Sequence, residues 1–135
     1  MIVGVGIDLC SVARMRKELD RSNGFETTAF TSTEIATTLL APHPTRRFAA
    51  LFAAKEAVVK ALAGAKPAGM LWRDIEVGES VGTADVTLNG HARDAADSLN
   101  IDHIRVAFTH TETEAMACAF ATSSIQETSI QGAEK

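Results

Sequence analysis

One stretch constrains the fold more than any other: residues 48–62, Phe-Ala-Ala-Leu-Phe-Ala-Ala-Lys-Glu-Ala-Val-Val-Lys-Ala-Leu. It is rich in alanine and leucine and free of glycine and proline, so it reads as a helix, expected from about Thr45 to Ala63. Phe48, Leu51, Phe52, Val58, Val59 and Leu62 recur on one side at helical spacing. Lys55 falls inside that apolar stripe, Glu56 lies at its edge, and Lys60 follows one turn later beside Glu56. A plain core helix keeps its charges on the opposite face. Charges set into the apolar face need a reason, and a ligand or a metal is one candidate.

The rest of the chain supplies strands to cover such a helix. Met1 to Leu9 reads as a strand buried on at least one side, with Met1, Val3, Val5, Ile7 and Leu9 on one face and Ile2, Gly4, Gly6 and Asp8 on the other. Two glycines leading to a carboxylate make a smooth surface that a backbone or a ligand can approach closely. The alternative is a bulge, with Asp8 capping the next helix. Ser11 can cap a helix over Val12 to Arg21, whose Arg14, Lys17 and Arg21 form a basic ridge. That ridge is either a solvated face or a docking strip for an acidic partner.

Asn23-Gly24 is a turn, and Thr31 or Ser32 with Glu34 opens a short helix to about Leu40, ended by Pro42 and Pro44. Gly64 is a natural stop for the long helix, and Gly64 to Gly69 is a loop. Met70 to Val77 and Val81 to Leu88 read as a hairpin, followed by an Asn89-Gly90 turn and a helix over His91 to Leu99. Asp102 to His110 and Ala115 to Ala121 read as a final strand pair, with His110 at the mouth of its turn. From Thr122 the chain is polar and weakly patterned, so 1–122 is read as one domain and 123–135 as a disordered tail. The fold class is α+β: one long helix packed on an antiparallel sheet.

Composition excludes several classes of function. A net charge of -4 gives no bulk attraction to nucleic acid or anionic lipid, and one Trp with no Tyr argues against a base-stacking platform. Cys10 and Cys118 have no CxxC spacing and read as reduced, buried thiols. The apolar start ends at Asp8 without a basic leader, and no run is long enough to cross a bilayer. The expectation is a cytoplasmic protein.

Asp8 and Glu56 together suggest oxygen ligands for a hard cation. Two carboxylates leave most of the coordination shell open, which suits magnesium completed by water and phosphate oxygens. Lys60 would then complement a phosphate. A helix salt bridge from Glu56 to Lys60, worth only about 0.3–0.5 kcal/mol, competes with that reading.

Three blocks resemble the holo-acyl-carrier-protein synthase group of 4'-phosphopantetheinyl transferases. They are Gly4-Val-Gly6-Ile-Asp8 followed by Arg14, Phe52-Ala-Ala-Lys55-Glu56-Ala57 with Lys60-Ala61, and Thr109-His110-Thr111 before an alanine-rich last strand. Asp74-Ile75-Glu76-Val77 sits where that family has a similar strand, and the likeness spans about residues 1–122. It implies transfer of the phosphopantetheine arm of coenzyme A to a serine of an apo acyl carrier protein, with release of adenosine 3',5'-bisphosphate. It implies a role in fatty acid biosynthesis, or service to carrier domains of a large synthase. By the resemblance, Asp8 and Glu56 hold magnesium, and Lys60 neutralises a pyrophosphate oxygen. Glu56 or a water on the cation takes the serine proton. Lys55, His110 and Thr111 serve the nucleotide end with Gly64, and Arg14 and Arg21 meet the carrier. The family's small members form homotrimers with sites shared between subunits.

The chain departs from the family pattern at Leu51, where an arginine is usual and is expected to serve the 3'-phosphate of coenzyme A. Arg47, one turn earlier on nearly the same face, is the candidate substitute. Lys66 adds a cation in the loop where the family has Gly-Thr-Gly. Loss of Asp8, Glu56 or Lys60 would have favoured a non-catalytic homologue that binds coenzyme A or a carrier; all three are present.

Overall fold

In the computed structural model, residues 1–62, 66–79 and 83–124 are described. Gly64, and the tail beyond Ser124, lie outside the described residues. The elements run β1 (Ile2–Ser11), α1 (Val12–Asp20), α2 (Phe25–Ala29), α3 (Ser32–Leu39), α4 (Pro44–Ala61), β2 (Ile75–Val77), β3 (Thr83–Leu88), α5 (Gly90–Ser98), β4 (His103–His110) and β5 (Glu114–Thr122). The strands make one five-stranded sheet in the order β1-β5-β4-β3-β2, with every neighbouring pair antiparallel. The α+β architecture with a long helix on an antiparallel sheet is therefore as expected.

The glycines of β1 decide how α4 lies. A Cβ placed on Gly6 would stand 1.9 Å from the carbonyl oxygen of Ala57, and one on Gly4 would stand 2.2 Å from that of Ala61. The smooth face of β1 thus admits the backbone of α4, and no side chain heavier than hydrogen fits between them. The neighbouring strand continues this shallow floor: Ala115, Ala117, Ala119 and Ala121 of β5 are all buried. Asp8 shares the glycine face and so points to the helix side of the sheet. The opposite face of β1 is bare, with Met1, Val3, Val5, Ile7 and Leu9 each 45–63% exposed. Met116 and Phe120 of β5 extend that bare apolar surface.

Away from the sheet, α4 packs into an aromatic group. Phe30 meets Phe48 at 4.9 Å between ring centroids, Phe52 meets Trp72 at 5.1 Å, and Phe25 meets Phe52 at 5.7 Å. Phe25 comes from α2, a short helix that the sequence pattern does not single out after the Asn23-Gly24 turn.

Three boundaries differ from expectation. α4 opens at Pro44, which suits the first helical position because that residue needs no N–H donor, and it ends at Ala61. The strand expected over Met70 to Val77 is shortened to β2 by a 3₁₀ turn at Trp72–Asp74. Asp74 causes it: its Oδ2 accepts the Leu71 N–H at 2.9 Å while its own N–H donates back to the Leu71 carbonyl at 2.9 Å. The glycine of Asn89-Gly90 opens α5 as its first residue.

Candidate active site

Asp8, Glu56 and Lys60 meet where β1 passes under the last turns of α4. Lys60 Nζ donates to Asp8 Oδ1 at 2.8 Å and to the Ile7 carbonyl at 3.0 Å. Lys60 is solvent-facing and Asp8 largely covered, with side-chain exposures of 48% and 13%. Among the described residues the ion pair that Lys60 forms is with Asp8, not the competing helix bridge to Glu56. A β1 carboxylate competes for the same ammonium, and the backbone approach permitted by Gly6 brings it within reach.

Glu56 is half-buried, and its carboxyl is pushed up to about 7. Burial is the main cause, followed by the negative charge of Asp8 and hydrogen bonding with it; Lys60 and Arg14 oppose the shift. Two carboxyls packed this closely cannot both ionise cheaply, so one keeps a proton or a cation replaces it. Among the described residues no group of three or more His, Cys, Asp or Glu side chains gathers as a metal site.

A cleft of about 240 Å³ opens beside this pair, lined by Leu9, Ser11, Arg14, Met15, Phe52 and Glu56 among others. Ser11 caps α1 by accepting the Arg14 N–H at 3.2 Å, which sets the first turn of α1 against the cleft. Arg14 and Arg21 are both exposed, and Arg21 is paired with Glu18 at 3.3 Å. Cys10 also lines the cleft; burial, then the charge of Glu56, pushes its thiol up to about 11, so it is an inert thiol. Both cysteines are free.

A second group of cations lies toward the other end of α4. His110 ends β4, and its imidazole is held below its usual value by burial and by the positive charges of Arg46, His43 and Arg47. Arg47 lies over the Phe108 ring at 5.2 Å. Thr111 closes the β4–β5 turn, its hydroxyl accepting the N–H groups of Thr113 at 3.3 Å and Glu114 at 3.1 Å. Leu51 is completely buried, while Arg47 is only half-buried.

Lys55 departs from the nucleotide-binding role expected for it. It is completely buried, and its ammonium reaches Glu34 Oε1 at 2.7 Å, the Ile75 carbonyl at 2.6 Å and the Trp72 carbonyl at 3.1 Å. All three donors are engaged inside the protein. Burial pulls its ammonium below the usual lysine value, against the support of Glu34. Lys66 is exposed and lies over the Trp72 ring at 4.8 Å. Glu34 is legible in the sequence as a helix cap, but its buried pairing with Lys55 is not.

Comparison with known proteins gives the family. A family model described as the 4'-phosphopantetheinyl transferase superfamily matches residues 4–121. The holo-[acyl-carrier-protein] synthase of Alkaliphilus metalliredigens is 37% identical over 123 residues, covering 90% of this chain and all of that one. The solved structure of the Mycobacterium tuberculosis acyl carrier protein synthase superposes with a TM-score of 0.69 at 34% identity, over 91% of this chain and 99% of that one. The Helicobacter pylori holo-[acyl-carrier-protein] synthase in complex with coenzyme A superposes with a TM-score of 0.74 at 26% identity, over 87% of this chain and 99% of that one. With a match that runs through β1, α4 and the β4–β5 pair alike, the chain belongs to the 4'-phosphopantetheinyl transferase superfamily.

Proposed function

We propose that this protein is a holo-acyl-carrier-protein synthase, which moves the phosphopantetheine arm of coenzyme A to a serine of an apo carrier. The observation that carries the reading is the Asp8–Glu56 carboxyl pair with Lys60 bonded to it, in a chain of this superfamily. The relatives' names supply the carrier and the H. pylori complex supplies coenzyme A.

Magnesium fits the pair. Burial, and then its neighbour's charge, drives Glu56 to hold a proton, and a divalent cation would take that proton's place. Asp8 and Glu56 would hold it; when bound, it draws negative charge from the pyrophosphate at the atom under attack. In the reaction the serine oxygen bonds to the β-phosphorus, and the bond from that phosphorus to the bridging oxygen breaks. The nucleotide bisphosphate leaves with those electrons. A carboxylate oxygen of Glu56 left free by the cation would accept the serine proton. Lys60 places positive charge where the pyrophosphate oxygens gain negative charge. Arg14 borders the cleft on the side where a carrier would bring its serine, with Arg21 further along α1.

His110, Arg47 and Thr111 serve the nucleotide end, with Lys55 acting only through the fold. Arg46 precedes Glu56 by ten residues on the same helix, or roughly 15 Å of rise. That span suits a site completed by a neighbouring subunit's hairpin, and the bare apolar face of β1 and β5 suits a homotrimer. Coenzyme A and carriers meet in the cytoplasm, and the two free cysteines suit that compartment.

The test mixes the protein, magnesium, coenzyme A and several apo carriers, and weighs the carriers. A gain of one phosphopantetheine group on at least one carrier is expected. No gain on any of them overturns the reading.

A further inference from the structure

The central contact of α4 with the sheet is unusually shallow. Glycines of β1 and alanines of β5 face the alanine-rich helix, and such small side chains offer little to stop the helix rotating. Yet Glu56 must meet Asp8 within a fraction of an ångström to work as a pair, and each residue of slip turns a helix by about 100°. The ring contacts of Phe48 and Phe52 and the Lys60–Asp8 bond limit that rotation, and a buried polar anchor next to Glu56 limits it further.

Lys55 is the residue directly before Glu56, and it is anchored in three directions. Its ammonium contacts Glu34 of α3 at 2.7 Å, the Ile75 carbonyl of β2 at 2.6 Å and the Trp72 carbonyl at 3.1 Å. Glu34 is itself fixed: Oε1 accepts the Thr31 N–H at 2.8 Å, and Oε2 accepts the Val77 N–H at 2.9 Å. Both side chains are 0–1% exposed. A buried ion pair is a poor source of stability, because desolvating two charges costs about what their attraction returns. Its better-attested use is to specify one arrangement among near-equal ones.

We propose that the Glu34–Lys55 pair is a positioning device: it fixes the rotation of α4 against α3 and β2, and so aims Glu56 at Asp8. Glu34 and Lys55 are positioning residues that touch neither substrate nor cation. The proposal rests on the transferase reading, because it assigns the pair a role toward that site.

The test is the double variant Glu34→Gln with Lys55→Met, which removes both charges together and keeps side-chain length. Steady-state transfer is measured alongside Mn²⁺ binding in the presence of coenzyme A, read by loss of the free-ion electron paramagnetic resonance signal. The expected result is a folded protein in which kcat falls by roughly tenfold to a hundredfold, while KM for coenzyme A stays within about twofold. Mn²⁺ affinity is expected to weaken by roughly fivefold or more. Glu34→Asp, which keeps the charge and shortens the arm, is expected to lower both quantities by a smaller factor. It decides the matter alone if the double variant does not fold. A lower melting temperature with kcat and Mn²⁺ affinity unchanged makes the pair merely structural and overturns the proposal. So does a parallel loss of kcat and coenzyme A affinity. In either case the wild-type protein still transfers, so the enzyme reading stands; a wild-type protein that transfers to no carrier overturns both.

Discussion

Lys60 Nζ donates to Asp8 Oδ1 at 2.8 Å and thereby ties the last turn of α4 to β1, with Glu56 lining the cleft beside them. The ammonium balances one of two adjacent carboxyl charges and remains nearly half exposed, where a pyrophosphate can reach it. Removing it should cost rate rather than fold. Lys60→Met is expected to lower kcat by roughly a hundredfold, in line with loss of one charge-stabilising donor. Its melting temperature should move little. Steady-state kinetics with a thermal melt checks this, and an unchanged kcat sinks the role given to Lys60.

Glu56 yields a pH prediction whose sign follows from its raised carboxyl. In the unfolded chain it ionises near its ordinary value of 4.5; in the metal-free fold it keeps its proton up to about 7. Stability from this residue is therefore fully present below 4.5 and is lost as pH rises through 7. Glu56→Gln cannot ionise, so without metal it should melt higher than wild type at pH 8, with the difference vanishing near pH 4.5. The same linkage makes magnesium binding release a proton below pH 7, and affinity should rise with pH across that window. Melts at two pH values, with calorimetry in buffers of different ionisation heat, test both. A variant of full activity would remove Glu56 from the site.

Much of this was legible in the chain, for reasons that differ by residue. The helix, the strand pair and the Asp8–Glu56–Lys60 grouping follow from periodicity and from three short blocks. Alternation in β1 defines two faces but does not say which is covered. The glycines settle it, because only a face without Cβ atoms admits a helix backbone to contact. The stripe position of Lys55 reads as buried, yet its partner stays hidden because a capping box already accounts for Glu34. The turn at Asp74 is not legible in the alternation, because its side chain mimics a backbone acceptor, a local contest that the pattern does not register.

The close approach at Gly6 can be tested directly. A methyl group there would sit 1.9 Å from the Ala57 carbonyl oxygen, so Gly6→Ala must push α4 off β1. Overpacking of this kind costs roughly 1–3 kcal/mol. Because Glu56 adjoins Ala57, activity should fall more steeply than stability. Thermal melts and kcat measured on the same preparation give the comparison; normal activity in a destabilised variant would separate the glycine from the site.

Leu51 is fully buried, so this fold has no room for a solvent-facing arginine at that position without repacking. Arg47 is the available cation: it is half-buried over Phe108 and close enough to His110 to depress its imidazole together with Arg46 and His43. Arg47→Ala should weaken coenzyme A binding by roughly tenfold, and dephospho-coenzyme A binding far less, as expected for a lost charge-assisted bond to the 3'-phosphate. Binding isotherms for the two ligands decide it. Equal losses for both would refute the assignment.

The outer face of β1 makes the last prediction. Val5, Ile7 and Leu9 are 51–63% exposed in one row, joined by Met116 and Phe120 of β5. An apolar surface built from two adjacent strands costs about 25 cal/mol for each Å² left in water, which favours its burial between copies. Ile7→Glu puts a charge at the centre of that row while leaving Gly6 and Asp8 facing the helix. The monomer's own core is untouched, so the variant should fold with a near-normal melt at high dilution. It should sediment as a monomer, and the wild type is expected to sediment as a trimer. Transfer should be lost with the assembly, because Glu56 and the His110 group lie toward opposite ends of α4 and would need two copies to meet. If Ile7→Glu is monomeric and fully active, each subunit carries a complete site and sharing is wrong. If the wild type itself is monomeric, the bare face needs another explanation.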